Sequence, residues 1–443
     1  VTVDAAPELV HRGQVRMAYR LAERHAAKLM FVSQVGWYRY DGTRWTPDTK
    51  GFAKRAVLLE LRRALAESLD DSSLRKDVAR CESATGIAGV LEIASALEEF
   101  AFEVSDLDPD PYLLNCSNGT LNLHSMTLWP HDPSDRITKV TRAAYQPRAR
   151  SATWTNFLET SLPKVEVRTF LQGYVGSALA GRVLEHKLCI MTGAGRNGKG
   201  VAYGALGHAL GDYATVAEPD LLMHREGAHP TGQMDLMGVR WVVISESDKG
   251  RKLAEATVKR LTGGDKIRAR RMRQDFVEFD PSHTAALVTN FLPKISGDDP
   301  ALWARLLVVP FDVVIPPEKR DPLLPQKLEA DVDAILTWAV EGWVQYKRDG
   351  LNPPEAVTAA TSEYRADSDA VGRFIAECCH TMGKFKYSKI YEAFSSWAAS
   401  QGLPPIAKPD FRSELESKGF TVANGAGNQV FVQGLVLAAA DDD

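Results

Sequence analysis

The chain has 443 residues, 44% hydrophobic, 25% charged and 8% aromatic, an ordinary globular composition with room for several hydrophobic cores. Its 53 Lys+Arg against 57 Asp+Glu leave a net charge of −4, which excludes a uniformly basic nucleic-acid coat but not a basic stripe on one element. Cys81, Cys116, Cys189, Cys378 and Cys379 form no C-x-x-C pair, the N-terminus VTVDAAPELVHRGQ lacks a signal-peptide layout, and no apolar run approaches the roughly 20 residues of a membrane span, so secreted, fibrous and membrane classes are excluded in favour of a cytoplasmic protein with reduced thiols.

In chain order, Gly36 to Trp45 reads as a hairpin, with Asp41-Gly42 supplying the tight turn. Apolar residues at helical spacing predict helices over about 52–69 and 84–102. LLNCSNGTLNLHSMTLWP reads as a second hairpin, turning at Asn118-Gly119. Residues 1–150 thus form an α+β N-terminal domain with no catalytic residue pattern, a folding and docking unit. A Pro/Arg-rich stretch near 147–151 marks its end.

Beyond it, helical pattern alternates with KLCIM (187–191), RWVVIS (240–245), AALVTN (285–290) and LLVVPF (306–311). Strands apolar on both faces and separated by helices predict a parallel α/β sheet over 151–315. A helical extension covers 316–370, and a small α+β unit covers 371–437, before an acidic tail at 438–443. In that unit, helix, helix and β-ribbon follow one another as in a winged helix, with Arg412 and Lys418 available to phosphates but weakened by Glu414 and Glu416.

The strongest chemical signal is GAGRNGKG, directly after a strand and opening a helix. Glycines let backbone N–H groups turn inward around phosphate oxygens, the helix N-terminus adds positive potential, and a lysine reaches the β/γ-phosphates. The expected nucleotide-binding residues are Gly193, Ala194, Gly195, Arg196, Asn197, Gly198, Lys199, Gly200 and Val201. Gly200 stands where Ser or Thr normally holds Mg²⁺, so ATP and its Mg²⁺ would rely on an acidic residue elsewhere. That residue is expected to be Glu246, at the end of the strand WVVIS, which can orient water and help hold the metal; Asp248 is a weaker choice. Asn290, closing LVTN, can sense the γ-phosphate, and Arg305, ahead of LLVVPF, can reach a neighbouring subunit's nucleotide. Between them, Lys259 to Arg273 concentrates basic residues in an acidic protein. Lys266, Arg268 and Arg270 alternate onto one strand face, and a hairpin tip near Met272 to Gln274 carries Arg271 and Arg273 beside it, giving Lys266, Arg268, Arg271 and Arg273 as the expected DNA contacts.

The order of GAGRNGKG, VVISES, KRLTGGDKIRAR, VTNFLPKI and WAR resembles the superfamily 3 helicases, specifically the C-terminal helicase portion of phage and plasmid primase-helicases related to those of satellite phages and poxviruses. LNCSNGTLNL and GLNPPEAVTAATSEYRADSD extend the resemblance over about residues 20–380. It implies an AAA+-like P-loop ATPase that assembles as a ring, commonly a hexamer, and translocates on single-stranded or forked DNA, with a primase or polymerase as a further partner. In that frame Lys199, Glu246, Asn290 and Arg305 are the catalytic set and the Lys266–Arg273 hairpin enters the channel. Ser245 departs from the family pattern, where many relatives carry a first acidic residue. Relatives often carry an upstream primase, and the short stretch before residue 20 gives the expectation of a stand-alone helicase. The alternative is a DNA-binding initiator or loader ATPase that does not unwind. A small-molecule kinase needs neither a trans-acting arginine nor a basic hairpin.

Overall fold

The computed structural model describes residues 11–218, 221–222, 230–245, 251–270, 275–295, 299–403, 405–425 and 429–438. The chain opens with α1 (Gly13–His25), β1 (Leu29–Val32), β2 (Gly36–Tyr40), β3 (Trp45–Pro47), α2 (Phe52–Glu67), α3 (Ser72–Cys81), α4 (Ala84–Ala94) and β4 (Ala101–Phe102). Side chains set the helix starts by accepting otherwise unpaired N–H groups. Asp48 takes those of Phe52 and Ala53, Asp71 that of Leu74 and Ser83 that of Gly86. Met17, Leu21, Val57, Leu61, Val78 and Val90 close the core between these helices.

The hairpin of β2 and β3 forms with Tyr40 opposite Trp45, and Asp41 Oδ1 accepts from the N–H groups of Thr43 and Arg44 in its turn. The helix expected over 84–102 stops at Ala94. The residues after it are drawn out to fill the free edge of β1, whose Phe31 and Ser33 donate to the carbonyls of Phe100 and Phe102 at 2.7 and 2.9 Å. An unmet β-strand edge thus overrides local helical propensity.

Next come β5 (Leu113–Cys116), β6 (Gly119–Asn122) and β7 (Leu128–Trp129), an antiparallel sheet. Cys116 pairs with Gly119, so the turn is Ser117-Asn118 rather than Asn118-Gly119. Leu114, Cys116, Leu121, Leu123 and Tyr145 lie in one continuous core with the parallel sheet that follows, not with α1–α4.

That sheet is preceded by α5 (Ala152–Ser161) and α6 (Val165–Ala178), and its elements are β8 (Leu188–Thr192), α7 (Lys199–Leu210), β9 (Ala214–Ala217), β10 (Trp241–Ser245), α8 (Glu255–Leu261), β11 (Ile267–Ala269), β12 (Val277–Phe279), β13 (Thr284–Thr289), α9 (Pro300–Trp303) and β14 (Leu306–Pro310). Its five strands lie in the order β14-β8-β13-β10-β9, and every neighbouring pair is parallel. Leu188, Cys189, Ile190, Val242, Val243, Ile244 and Ala286 are buried, as strands covered on both faces must be. β9, whose ATVA segment carries no strong apolar signal, is the added edge strand. Apart from the sheet, β11 and β12 form an antiparallel hairpin.

α10 (Leu324–Ala330), α11 (Val332–Asp349) and α12 (Glu355–Ser368) cover the body, with Ile335, Leu336, Val340 and Trp343 sharing its core. The C-terminal unit runs α13 (Ala370–Cys378), β15 (Cys379–His380), β16 (Lys384–Lys386), α14 (Tyr387–Ser400), α15 (Lys408–Ser417), β17 (Thr421–Asn424), β18 (Val430–Gln433) and β19 (Val436–Leu437). It has its own core of Phe374, Ile390, Phe394, Phe411, Leu415 and Val432. Its three-stranded sheet has the order β16-β18-β17. The two cations expected to meet phosphates here are already spent: Arg412 bonds Glu416 at 2.8 Å and the Val422 carbonyl at 2.8 Å, and Lys418 pairs with Asp369.

Candidate functional site

β8 ends at Thr192 and α7 begins at Lys199, so GAGRNG is the connection between a buried strand and a helix N-terminus. Four residues in this connection have positive φ: Gly193 (153°), Gly195 (75°), Arg196 (55°) and Gly198 (90°). The need for glycine is steric at two of them. A Cβ on Gly193 would stand 2.3 Å from the Phe311 carbonyl oxygen, and one on Gly198 would stand 2.3 Å from Ser161 Oγ. The loop is clamped from behind, because Asn197 Nδ2 donates to that Phe311 carbonyl at 2.9 Å and Ile315 N–H donates to the Arg196 carbonyl at 2.9 Å. A glycine-rich turn that opens a helix is the kind of element, a cradle, whose N–H groups can meet an anion at the helix's positive end.

Lys199 is only 4% exposed, and its ammonium donates to the Gly193 carbonyl at 2.7 Å and to Asn197 Oδ1 at 3.1 Å. Burial lowers its pKa from the ordinary lysine value to about 8. A desolvated cation that donates to neutral oxygens gains strongly from an incoming anionic oxygen. Gly200 behaves unlike Gly193 and Gly198, since nothing lies within 4 Å of the Cβ it lacks. A hydroxyl-bearing side chain would fit there sterically, but the glycine brings no oxygen to a metal.

The register fixes what stands beside the cradle. Thr289 pairs with Thr192, and Val288 pairs with Ser245, so the ends of β8, β13 and β10 form one sheet edge in that lateral order. Asn290, exposed at the end of β13, is therefore next to the loop, and a Cβ on Gly195 would lie 3.9 Å from its Oδ1. Glu246 and Asp248 follow Ser245 and lie outside the described residues. Among the described residues, no group of three or more His, Cys, Asp or Glu is placed to hold a metal ion.

Arg305 is at the opposite edge. Leu306 pairs with Leu188 and Pro310 with Thr192, so Arg305 is separated from the cradle by the length of β14, about 13 Å or more at the rise of a strand. Its Nη1 donates to the Ala301 carbonyl at 2.7 Å and its Nε is buried with no partner among the described residues. Within one copy of the chain it does not join Lys199 and Asn290.

The basic hairpin forms as expected at its base. Ile267 and Ala269 point into the core while Lys266, Arg268 and Arg270 are exposed on the other face. The guanidinium carbons of Arg268 and Arg270 lie 4.8 and 4.6 Å from the ring centre of Phe276. Arg271 and Arg273 lie outside the described residues. In the sequence Phe276 shows only as an apolar ring at the end of a basic run, a weak signal beside the arginines that flank it here.

The fold and this edge define a mixed α/β protein with a glycine-rich, lysine-bearing loop at the C-terminal edge of a parallel sheet, and a basic hairpin beside it. Residues 18–163 match the family described as D5 N terminal like. A protein of Acanthamoeba polyphaga mimivirus named as a putative helicase is 23% identical over 93% of this chain and 48% of its own length. An African swine fever virus protein named as a putative primase is 25% identical over 70% of this chain and 35% of its own length. The chain thus spans about half or less of the curated relatives it matches. Among solved structures, the apo NrS-1 C-terminal region superposes with a TM-score of 0.52 at 10% identity, covering 97% of this chain and all of that one. That likeness concerns the fold alone. The family match is confined to residues 18–163, and the two named relatives are no more than 25% identical over the stretches they share with this chain.

Proposed function

We infer that this chain is an ATP-driven DNA helicase motor of superfamily 3, an AAA+-like ATPase acting as a ring, with a winged-helix-like unit at its C-terminal end. The observation that carries this reading is the division of the sheet into two edges. The cradle with Lys199, the Ser245 strand end and Asn290 share one edge, while Arg305 occupies the other. A strand inserted between the loop strand and the carboxylate strand brings a neutral amide to the γ-phosphate position, and a distant arginine fits a site completed by a second copy.

In this reading Lys199 leaves the Gly193 carbonyl to bind β/γ-phosphate oxygens, and the loop N–H groups hold the remainder. Asn290 orients the attacking water, Glu246 accepts its proton, and Arg305 of one protomer stabilises the charge that develops at the next protomer's site. Mg²⁺, when bound, would neutralise phosphate charge, with Glu246 as its protein-side support. The Lys266–Arg273 hairpin meets the DNA backbone, and Phe276 offers a face to a base. The names of the relatives, a helicase and a primase, support DNA replication as the setting.

A strand-displacement assay on forked DNA tests the proposal. ATP-dependent displacement that Lys199→Ala abolishes is expected. Hydrolysis without displacement would favour the loader reading, and absence of both would overturn the motor assignment.

A further inference from the structure

Residues of the N-terminal unit repeat the arrangement seen at the hairpin. Phe52, half-buried at the start of α2, has the guanidinium carbon of Arg39 5.9 Å from its ring centre and that of Arg55 5.8 Å away. Lys50 and Lys54 flank it and are exposed. The carboxylate nearest in sequence, Asp48, is committed to the N–H groups of Phe52 and Ala53 at 2.7 and 2.8 Å.

The contrast with α1 makes this cluster informative. Arg16, Arg20 and Arg24 are each neutralised by carboxylates, through Asp71, Asp77, Glu60 and Glu67. Arg39, Lys50, Lys54 and Arg55 make no ion pair among the described residues. Two unneutralised guanidinium groups at one aromatic ring, with the exposed Lys50 and Lys54 close by in sequence, concentrate positive charge in a chain of net charge −4. A polyanion offsets that charge, and one carrying flat rings also uses the aromatic face. The turn that precedes β2, the strand of Arg39, meets the hairpin's core: its Val35 packs on the cluster that Ile267, Ala269, Val277 and Phe279 enter.

We propose that Arg39, Lys50, Phe52, Lys54 and Arg55 form a second contact site for single-stranded DNA, on the N-terminal unit, engaging the strand's phosphates through the four cations and a base through Phe52. The proposal rests on the DNA-motor reading, and it adds a site that the motor's own motifs do not require. Its consequence is a longer footprint on the strand than the hairpin alone gives.

The test is the salt dependence of binding to fluorescein-labelled oligo(dT), measured by anisotropy on the full chain. Each lost phosphate contact on a single strand lowers the log–log slope by about 0.7, so Lys50→Gln, Lys54→Gln and Arg55→Gln combined should lower it by about two. These side chains are exposed, so ATP hydrolysis without DNA should be unchanged. Phe52→Tyr should keep affinity while Phe52→Leu weakens it, separating stacking from packing. An unchanged slope in the triple variant, with a lowered slope in Lys266→Gln plus Arg268→Gln, would overturn this site and leave the motor reading standing. No binding of oligo(dT) by the unmodified protein would overturn both.

Discussion

Lys199 directs its ammonium at the Gly193 carbonyl, 2.7 Å away across the loop that both residues help to form. The cation is thereby held by neutral oxygens in a buried place, and this geometry makes its charge state sensitive to whatever enters the cradle. Lys199→Ala should abolish ATP hydrolysis while thermal stability stays close to that of the parent, because the backbone clamp through Asn197 and Phe311 is untouched. Turnover near the parent rate in a malachite-green assay would remove the nucleotide assignment.

The same residue gives a pH prediction. Its pKa is lowered to about 8 by burial, and a phosphate beside it favours the charged form and raises that value again. Below about pH 7 the ammonium is already formed and ATP binding takes up no proton there. Near pH 8 it is about half formed, so binding takes up about half a proton, and affinity falls as pH rises through this range. Calorimetric titrations in buffers of different ionisation enthalpy should show that uptake, and Lys199→Met should lose it. A buffer-independent heat at pH 8 in the parent protein would contradict the mechanism.

Gly198 and Gly200 are two residues apart and should respond in opposite directions. At Gly198 a side chain meets Ser161 Oγ and needs φ near +90°, so Gly198→Ala should cost about 1–3 kcal/mol and distort the cradle. Gly200 lies in α7 with open space around it, so Gly200→Ala should stabilise the helix by about 0.5–1 kcal/mol. Thermal denaturation of both variants checks the pair. Gly200→Thr adds an oxygen at the position where this loop lacks one, and should lower the Mg²⁺ concentration needed for half-maximal hydrolysis.

Much of this was legible in the sequence because the parallel sheet is buried on both faces, so KLCIM, WVVIS, AALVT and LLVVP advertise themselves as apolar runs. β9 escaped because ATVA, at an exposed edge, has no such signal. α4 ends at Ala94, short of the helical pattern over 84–102, because that pattern says nothing of the free edge of β1 that claims the carbonyls of Phe100 and Phe102. The loop is legible from its glycines between a strand and a helix and Asn290 from its place at a strand's end, and the structure sets Asn290 beside the loop. The tie of Arg412 to Glu416 is legible as an i,i+4 pair, whereas that of Lys418 to Asp369 is not, since it joins residues 49 apart in sequence.

Arg305 lies at the far edge of the sheet from the cradle and folds back on the Ala301 carbonyl. If it acts, it acts on another copy. Transition-state arginines contribute about 10³–10⁵ in rate, so Arg305→Ala should be nearly inactive. Mixed with Lys199→Ala it should regain hydrolysis, because a mixed interface can pair an intact cradle with an intact arginine. A titration of one variant against the other in which activity never exceeds the sum of the two would contradict the trans arrangement.

The C-terminal unit closes around Phe374, Phe394 and Phe411, with Phe394 and Phe411 stacked 4.5 Å apart. Asp369 sits at its entrance, accepting the Gly372 N–H at 2.8 Å and pairing with Lys418, so the helix start and the end of α15 are fastened at one carboxylate. None of the residues in this core belongs to the core of the parallel sheet. A chain ending at Asp369 should therefore keep its sheet, cradle and hydrolysis. What it should lose is recruitment to forked DNA or to a partner protein, the use a separately folded unit best serves. With Arg412 and Lys418 already paired, a protein partner fits this unit better than a phosphate backbone does, and Arg412→Ala should leave DNA affinity nearly unchanged. ATPase and forked-DNA binding assays on the truncated chain check the division. Loss of hydrolysis in a chain that stays folded by circular dichroism would place residues 370–443 inside the motor.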